Sequence, residues 1–258
     1  RLIGYGDDVR DQDIISGLAR GSAALTQNIG VEAGALAMRS RVDGRGAGLS
    51  NLVGSPDNVT QVYSVYTGPT FTAQVDELSV NAAYRAGYTK VEDKTDRVLP
   101  PSVTGIPRFD ESVNHLATAS VGMQPGTLPF GWAVSGAWER EDVDQLDQRF
   151  DGKYARVDVT VPVSPVLAIV GGVGYEDIEI SERDAVRDGA GIPIVDNKGR
   201  YVTDPTAPRL IAWQNDGVIW DVGVLWRPSP RTSLEARYGR RYGSDTYYGS
   251  FSYQPGRD

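Results

Sequence analysis

The chain has 258 residues, with 26 Lys and Arg against 34 Asp and Glu, no Cys and a single His. The absence of Cys excludes a disulfide framework, a thiolate metal site and a cysteine nucleophile. A net charge of −8 without a basic run argues against nucleic-acid binding, which depends on neutralising phosphates. No apolar stretch approaches the ~18 residues of a transmembrane helix, but hydropathy averages do not exclude membrane strands that alternate apolar and polar residues.

A period of two recurs along nearly the whole chain, whereas helical periodicity is hard to find. Gly, β-branched and aromatic residues dominate the alternating runs, which favours strands over helices. The pattern predicts eleven strands, and residues 1–6 look like the stub of another. In chain order the predicted strands are 12–25, 28–41, 59–75, 77–91, 112–123, 130–142, 153–163, 166–180, 215–227, 232–242 and 246–254.

The predicted connections alternate between short turns and long polar loops. The long loops are 42–58, 92–111, 143–152 and 181–214, and only the last connection, 243–245, is short where a long one is due. Short turns at one end and long loops at the other are typical of outer-membrane β-barrels. The alternative, a soluble β-sandwich, has no reason to sort its loop lengths in this way.

The two faces of each predicted strand differ in the same sense. On 130–142 one face carries Phe130, Trp132 and Trp138, and the other carries small residues and glutamates. The apolar faces tend to begin and end in aromatic residues, as expected for two girdles at the membrane interfaces. The predicted girdle residues are Tyr84, Phe130, Trp132, Trp138, Trp220, Trp226, Tyr247, Phe251 and Tyr253. The predicted lumen-lining charges are Glu32, Arg85, Glu139, Glu141, Arg156, Asp158, Asp221, Arg227, Glu235, Arg237 and Arg241.

The sequence therefore predicts an all-β fold: one antiparallel up-and-down transmembrane β-barrel domain over 1–258, in a bacterial outer membrane. About eleven or twelve strands are visible, whereas single-chain bacterial barrels have even strand numbers with both termini periplasmic. An open edge in lipid would also leave unpaired backbone groups. We therefore expect the native polypeptide to extend beyond residue 1 and beyond residue 258, as part of a larger barrel.

Several segments resemble a known family. They are Gly4–Asp8, Glu32–Ala37, Tyr63–Pro69, Val163–Pro165, Gly171–Asp177, Trp226–Thr232, Gly239–Tyr242 and Thr246–Phe251. Together they resemble outer-membrane β-barrel proteins of alphaproteobacteria, sphingomonads especially, and are distantly similar to barrels associated with PEP-CTERM and exopolysaccharide gene systems. The resemblance implies the fold and the location, and members that are longer at both ends. It implies no settled biochemical activity.

The chain offers little catalytic chemistry. His115 has no Ser two residues on and shares a face with Val113 and Ala117, so we interpret it as an interfacial residue on the lipid side. The acidic segment 142–151 lacks the spacing of a calcium loop and is interpreted as a solvated loop. Gly171, Gly172 and Gly174 lie mid-strand, where they ease curvature. We therefore expect no enzymatic activity, no catalytic residue, no metal and no cofactor.

Two functions remain open. The first is a channel or export port, linked to polysaccharide secretion through the resemblance, in which mixed-sign lumen charges argue against strong ion selectivity. The second is a structural or adhesive barrel whose long loops, mainly 181–214 with its apolar run 192–195, bind a partner without transport. Expected partners are outer-membrane lipid and lipopolysaccharide, and a protein partner or an oligomer is allowed.

Overall fold

The computed structural model describes residues 16–41, 59–93, 110–197 and 200–255, and every structural statement concerns these residues. They form one eleven-stranded antiparallel sheet in which each strand pairs with its neighbour in the chain. The strands are β1 (Gly17–Ala24), β2 (Ile29–Arg41), β3 (Val59–Val75), β4 (Leu78–Asp93), β5 (Glu111–Met123), β6 (Gly131–Val143), β7 (Gln148–Ser164), β8 (Leu167–Glu182), β9 (Leu210–Ser229), β10 (Thr232–Arg241) and β11 (Ser244–Tyr253). The all-β, up-and-down fold class is as predicted.

Short hairpin turns set the register of the meander. Between β10 and β11, Tyr242 and Gly243 both have positive φ, +54° and +71°. Two central residues with positive φ give a type I′ turn, whose twist matches that of the flanking strands. Between β3 and β4 the connection is also two residues long, and Asp76 takes φ of +53°. Tight turns of this kind fix which side chains share a face of the sheet.

All eleven predicted strands are present, but the prediction of a loop at 143–152 was wrong. Strand β7 begins at Gln148, and only residues 144–147, with a single 3-10 turn, separate it from β6. Gln148–Gly152 pairs with Glu139–Val143 through backbone hydrogen bonds, which need no apolar side chains. The loop predicted at 181–214 is likewise shortened to 183–209. The predicted stub 1–6, the start of the first predicted strand, the loop 42–58 and most of the loop 92–111 lie outside the described residues.

The sheet curls around its polar face. Three ion pairs join strands that are not neighbours: Arg85 of β4 with Glu32 of β2, Arg156 of β7 with Asp221 of β9, and Arg241 of β10 with Glu176 of β8. Next-but-one strands lie roughly 10 Å apart, and residues of β3 to β7, β9 and β10 line one common cavity on this face, so the sheet is concave there. The register places all of these side chains on one face, which is therefore the inside of the curve.

The convex face is apolar and exposed. On strand β9, the outward residues from Val218 to Trp226 are 39 to 62 % exposed. The inward residues between them, such as Asp221 and Gly223, are less exposed. In the described part of the chain the buried apolar residues are only Val170, Ile178 and Ala185. The apolar surface that a water-soluble protein would bury therefore lies on the outside of this sheet. Within the described residues, no helix is long and apolar enough to cross a membrane.

Candidate functional site on the concave face

The register places ten of the eleven predicted lumen charges on the concave face, and the eleventh, Arg227, lies at an irregularity near the end of β9. The lining of a water-filled lumen by these charges stays a prediction. They are distributed over β2, β4, β6, β7, β9 and β10. Four register pairs on neighbouring strands determine which charges can meet. They are Glu32 with Gly68, Arg156 with Gly174, Asp158 with Gly172, and Gly172 with Asp221. Most of these charged residues belong to two clusters and one further pair.

The first cluster, formed by Arg20, Glu32 and Arg85, lies on β1, β2 and β4. Glu32 is buried, and its carboxylate accepts hydrogen bonds from Arg20 Nη2 at 3.1 Å and from Arg85 Nε. The Arg85 guanidinium also lies over the Tyr66 ring, 5.6 Å from its centroid. A buried carboxylate is costly unless it is paired, and two arginines satisfy this one. The cluster carries one positive charge more than it carries negative charges.

The second cluster is a continuous chain of five charged side chains on β7, β9 and β10. Arg156 donates to Asp158 at 2.8 Å and to Asp221 at 2.5 Å. Arg237 donates to Asp221 at 3.0 Å and to Glu235 at 2.6 Å. Asp221 therefore links both arginines, as the predicted neighbourhood of Asp221, Glu235 and Arg237 requires. With three carboxylates and two guanidinium groups, this cluster carries one net negative charge.

A further pair joins Glu176 and Arg241 above the second cluster. Arg241 donates to the Glu176 carboxylate at 2.9 Å from Nε and 2.8 Å from Nη2, and Glu176 is only 1 % exposed. Neither Glu176 nor Arg20 was predicted as a lumen charge from the sequence. The signal for Glu176 was its spacing, because it shares a strand face with Gly172 and Gly174, two residues apart along β8.

A glycine makes room for the arginine that crosses β8. Arg156 reaches Asp221 by passing over β8 at Gly172, where an added Cβ would lie 2.4 Å from Arg156 Nη2 and 2.4 Å from Asp158 Oδ1. In the first cluster, Gly68 of β3 pairs directly with Glu32, but an added Cβ there would meet the backbone of Tyr84 and Arg85. Gly172 was predicted to ease curvature. It also leaves the space through which the Arg156 guanidinium group bridges the wall.

One predicted neighbourhood was wrong. Glu139 and Glu141 were expected beside Arg156 and Asp158, but they pair across the hairpin with Gly152 and Phe150. The reason is the four-residue β6–β7 connection, which pairs Val143 with Gln148 and moves Arg156 down the wall to face Ser135. Glu139 and Glu141 consequently lie nearer the loop end of the concave face than the second cluster.

The convex face carries eight of the nine predicted girdle residues, and the ninth, Phe130, lies in the turn just before β6. Tyr84, His115 and Trp138 form one aromatic rung across β4, β5 and β6, with ring centroids 6.0 and 6.3 Å apart and nearly parallel planes. The Tyr84 hydroxyl lies 2.7 Å from His115 Nδ1. His115 therefore occupies the outward face, as predicted, with an amphipathic neighbour on either side. A membrane interface around the rung stays a prediction.

The β8–β9 loop, residues 183–209, is anchored to the β6–β7 connection through Asp147. The Asp147 carboxylate accepts hydrogen bonds from Arg183 Nε at 2.7 Å and Arg209 Nη2 at 2.6 Å. Partial burial alone would raise the pKa of Asp147, but the two guanidinium groups outweigh it and hold that pKa below its ordinary value. The loop is therefore pinned by a carboxylate that stays ionised at neutral pH.

The same loop has a second anchor and an apolar tip. Arg200 pairs with Asp110 at 2.8 Å, Asp144 at 3.1 Å and Asp196 at 3.0 Å, while Ile192 and Ile194 remain exposed. In the acidic segment, Asp142 pairs with Arg140 at 2.8 Å and Arg149 at 2.6 Å. Across the described residues, no cluster of three or more His, Asp or Glu side chains could hold a metal ion.

The antiparallel up-and-down sheet curls around paired charges and turns an apolar face with aromatic residues outward. These are the features of the wall of a transmembrane β-barrel. The class of protein that these features define is the β-barrel protein of bacterial outer membranes. No protein family model and no curated protein matches the chain.

Three solved structures are similar to the chain at low identity. The Pseudomonas putida toluene transporter TodX is 9 % identical with a TM-score of 0.45, over 91 % of this chain and 72 % of that one. OmpT, an outer membrane protein of Vibrio cholerae, is 14 % identical with a TM-score of 0.44, over 95 % and 88 %. The ferric yersiniabactin uptake receptor FyuA of Yersinia pestis is 13 % identical with a TM-score of 0.49, over 91 % and 41 %.

Proposed function

We propose that this chain forms the wall of an outer-membrane channel or export port. The observation that carries the proposal is the pairing of an exposed apolar outer face with a concave face rich in paired charges. Ionic groups in a membrane barrel are costly unless they are paired or hydrated, and they mark the inside of a solute path. The outer face contacts lipid and lipopolysaccharide.

The strands that the ion pairs join support an open interior. Each pair that leaves its own strand bridges at most one intervening strand, as from β7 to β9 or from β8 to β10. The charges therefore neutralise one another along the wall and do not interlock across the bore, as they would in a narrow plugged barrel. A cavity of about 590 Å³ on this face is lined by residues of β3 to β7, β9 and β10. Export of polysaccharide is a narrower version of the proposal and is supported only by the family resemblance.

Electrical recording tests the proposal directly. The full-length protein, inserted into planar lipid bilayers, should give stepwise conductance with weak preference between K⁺ and Cl⁻, because both signs of charge line the wall. Heat-denatured protein is the control. Correctly folded protein that inserts and stays silent would overturn the proposal. Release of a polysaccharide only from cells that carry the protein would support the export version.

A second candidate function is adhesion by the β8–β9 loop. Ile192 is 60 % exposed and lies in a loop that is otherwise fixed by Asp147 and Arg200. An exposed apolar tip on a rigid loop is a feature of protein-binding surfaces. Cells carrying Ile192→Ser together with Ile194→Ser should adhere less, with unchanged conductance of the purified barrel. Equal adhesion would count against this function. The expected absence of enzymatic activity stays a prediction.

A further inference from the structure

We propose that the cavity between the two charged clusters selects uncharged hydrophilic solutes. This inference rests on the proposed channel function and adds the substrate class. It comes from the chemistry of the two walls of the cavity, whose volume of about 590 Å³ falls within the roughly 300–1,000 Å³ of small-molecule sites.

The first wall is uncharged and carries hydroxyl and amide side chains among small apolar residues. It consists of two rows that the register aligns across β3 to β6, and every member of both rows lines the cavity. The rows are Thr70, Ala83, Thr118 and Ala137, and next to them Thr72, Asn81, Ser120 and Ser135. Hydroxyl and amide groups both donate and accept hydrogen bonds. The wall can therefore replace water around a solute hydroxyl, and it has no charge with which to replace water around an ion.

The second wall contains Tyr154, Arg156 and Arg241. Both arginines are already neutralised, Arg156 by the carboxylates of the second cluster and Arg241 by the almost fully buried Glu176. Their guanidinium edges remain hydrogen-bond donors, but their charge is balanced by partners at 2.5 to 2.9 Å. An ionic solute that enters the cavity loses hydration without gaining a free counter-charge.

The flanking clusters do not restore a preference for either sign. The first cluster has one excess positive charge and the second has one excess negative charge. An anion that is attracted to one side is repelled by the other, and the same holds for a cation. The path between them is therefore most permissive for neutral, polyhydroxylated molecules.

Glucose, gluconate and glucosamine provide a matched set of probes, because they have similar size and hydroxyl content but differ in charge. The full-length protein in proteoliposomes should pass glucose about fivefold faster than either charged probe, because only the charged probes lose ionic hydration. Gluconate or glucosamine flux equal to that of glucose would overturn the selectivity and leave the channel standing. Absence of flux for all three would overturn the channel itself, and the inference with it.

Neighbouring residues of β5 give a matched pair of variants. Thr118 lines the cavity, whereas its neighbour Ala117 lies on the convex face and is not part of the lining. Thr118→Trp should lower glucose flux about tenfold by filling the cavity, and Ala117→Trp should leave it unchanged. Heat-modifiable migration in gels verifies folding, and Ser120→Phe serves if the first variant does not fold. Equal flux through correctly folded Thr118→Trp and Ser120→Phe barrels would overturn this placement of the path.

Removing the carboxylate partner of Arg241 tests whether neutralisation of the arginines sets the solute selectivity. Glu176→Gln removes the negative partner of Arg241 and leaves its guanidinium charge facing the cavity. The ratio of gluconate to glucose flux should then rise about fivefold, and the ratio for glucosamine should fall. Unchanged ratios in the folded variant would show that pairing of the arginines does not set the selectivity.

Discussion

A single methyl group at Gly172 should release the arginine bridge of the second cluster. In Gly172→Ala the new Cβ would lie 2.4 Å from both Arg156 Nη2 and Asp158 Oδ1, which is shorter than any tolerable contact. The backbone of β8 is fixed by pairing on both sides, so the guanidinium group must move. Arg156 then loses its hydrogen bonds to Asp158 and Asp221.

The expected cost follows from these two bonds. Hydrogen bonds to charged groups contribute about 1.5–3 kcal/mol each. Because the Arg156 and Asp221 side chains are 24 % and 20 % exposed, the lower end of that range applies. Replacing a strand glycine by alanine returns about 0.5–1 kcal/mol of backbone entropy. The net free energy of unfolding should therefore fall by about 2 kcal/mol.

Gly136→Ala is the matched control. Gly136 lies on the convex face of β6, where an added Cβ would make an ordinary 3.4 Å contact with the Tyr154 carbonyl oxygen. This variant should gain about 0.5–1 kcal/mol. Urea titration of the two variants in phospholipid vesicles, followed by tryptophan fluorescence, measures both values. Gly172→Ala as stable as Gly136→Ala would refute the role of glycine in making room for the bridge.

Three further predictions concern selectivity, the loop and the two faces. Asp221→Asn leaves two arginines and two carboxylates in the second cluster, which removes its net negative charge. The reversal potential across a salt gradient should therefore shift toward anion selectivity. An unshifted reversal potential would contradict the assignment of Asp221 to the lumen. Because the folded pKa of Asp147 is lowered, its anchoring is complete above the unfolded pKa and is lost as pH falls through the folded value. Limited proteolysis within 183–209 should therefore accelerate about two- to fivefold when the pH falls below the folded pKa of Asp147. Asp147→Asn should show this faster rate already at pH 7. Equal rates for the variant and the native protein at pH 7 would exclude the anchor. Val134→Arg on the convex face should lower the free energy of unfolding in vesicles by about 2–4 kcal/mol. Ala133→Arg lies directly opposite Asp158 on the concave face and should lower it by less than about 1 kcal/mol. Equal losses would contradict the assignment of the faces.

The strands and their faces could be predicted from the sequence because alternation is a local signal. Val218 to Trp226 show it without any knowledge of the partner strands. The start of β7 could not be found in this way. Apart from Phe150, Gln148–Gly152 consists of polar residues and Gly and is held by backbone hydrogen bonds to β6, so its composition resembles that of a loop.

The candidate site was only partly predictable for a related reason. The spacing along one strand predicts which charged residues lie on the concave face. Their ion-pair partners depend on the register between strands, which that spacing does not give. The β6–β7 connection moved Arg156 four residues away from the expected Glu139 and left it to cross β8 toward Asp221. That crossing depends on Gly172, whose importance appears only when three strands are seen side by side.

A cysteine scan of β9 tests whether the sheet is a membrane wall with a water-facing inside. The chain has no native Cys, so single cysteines can be introduced at each position from 218 to 226 and labelled in proteoliposomes with a water-soluble, membrane-impermeant thiol reagent. The inward positions 219, 221, 223 and 225 should react, and the outward positions 218, 220, 222, 224 and 226 should be protected, because register assigns them to opposite faces. Labelling of both sets at equal rates would contradict the account.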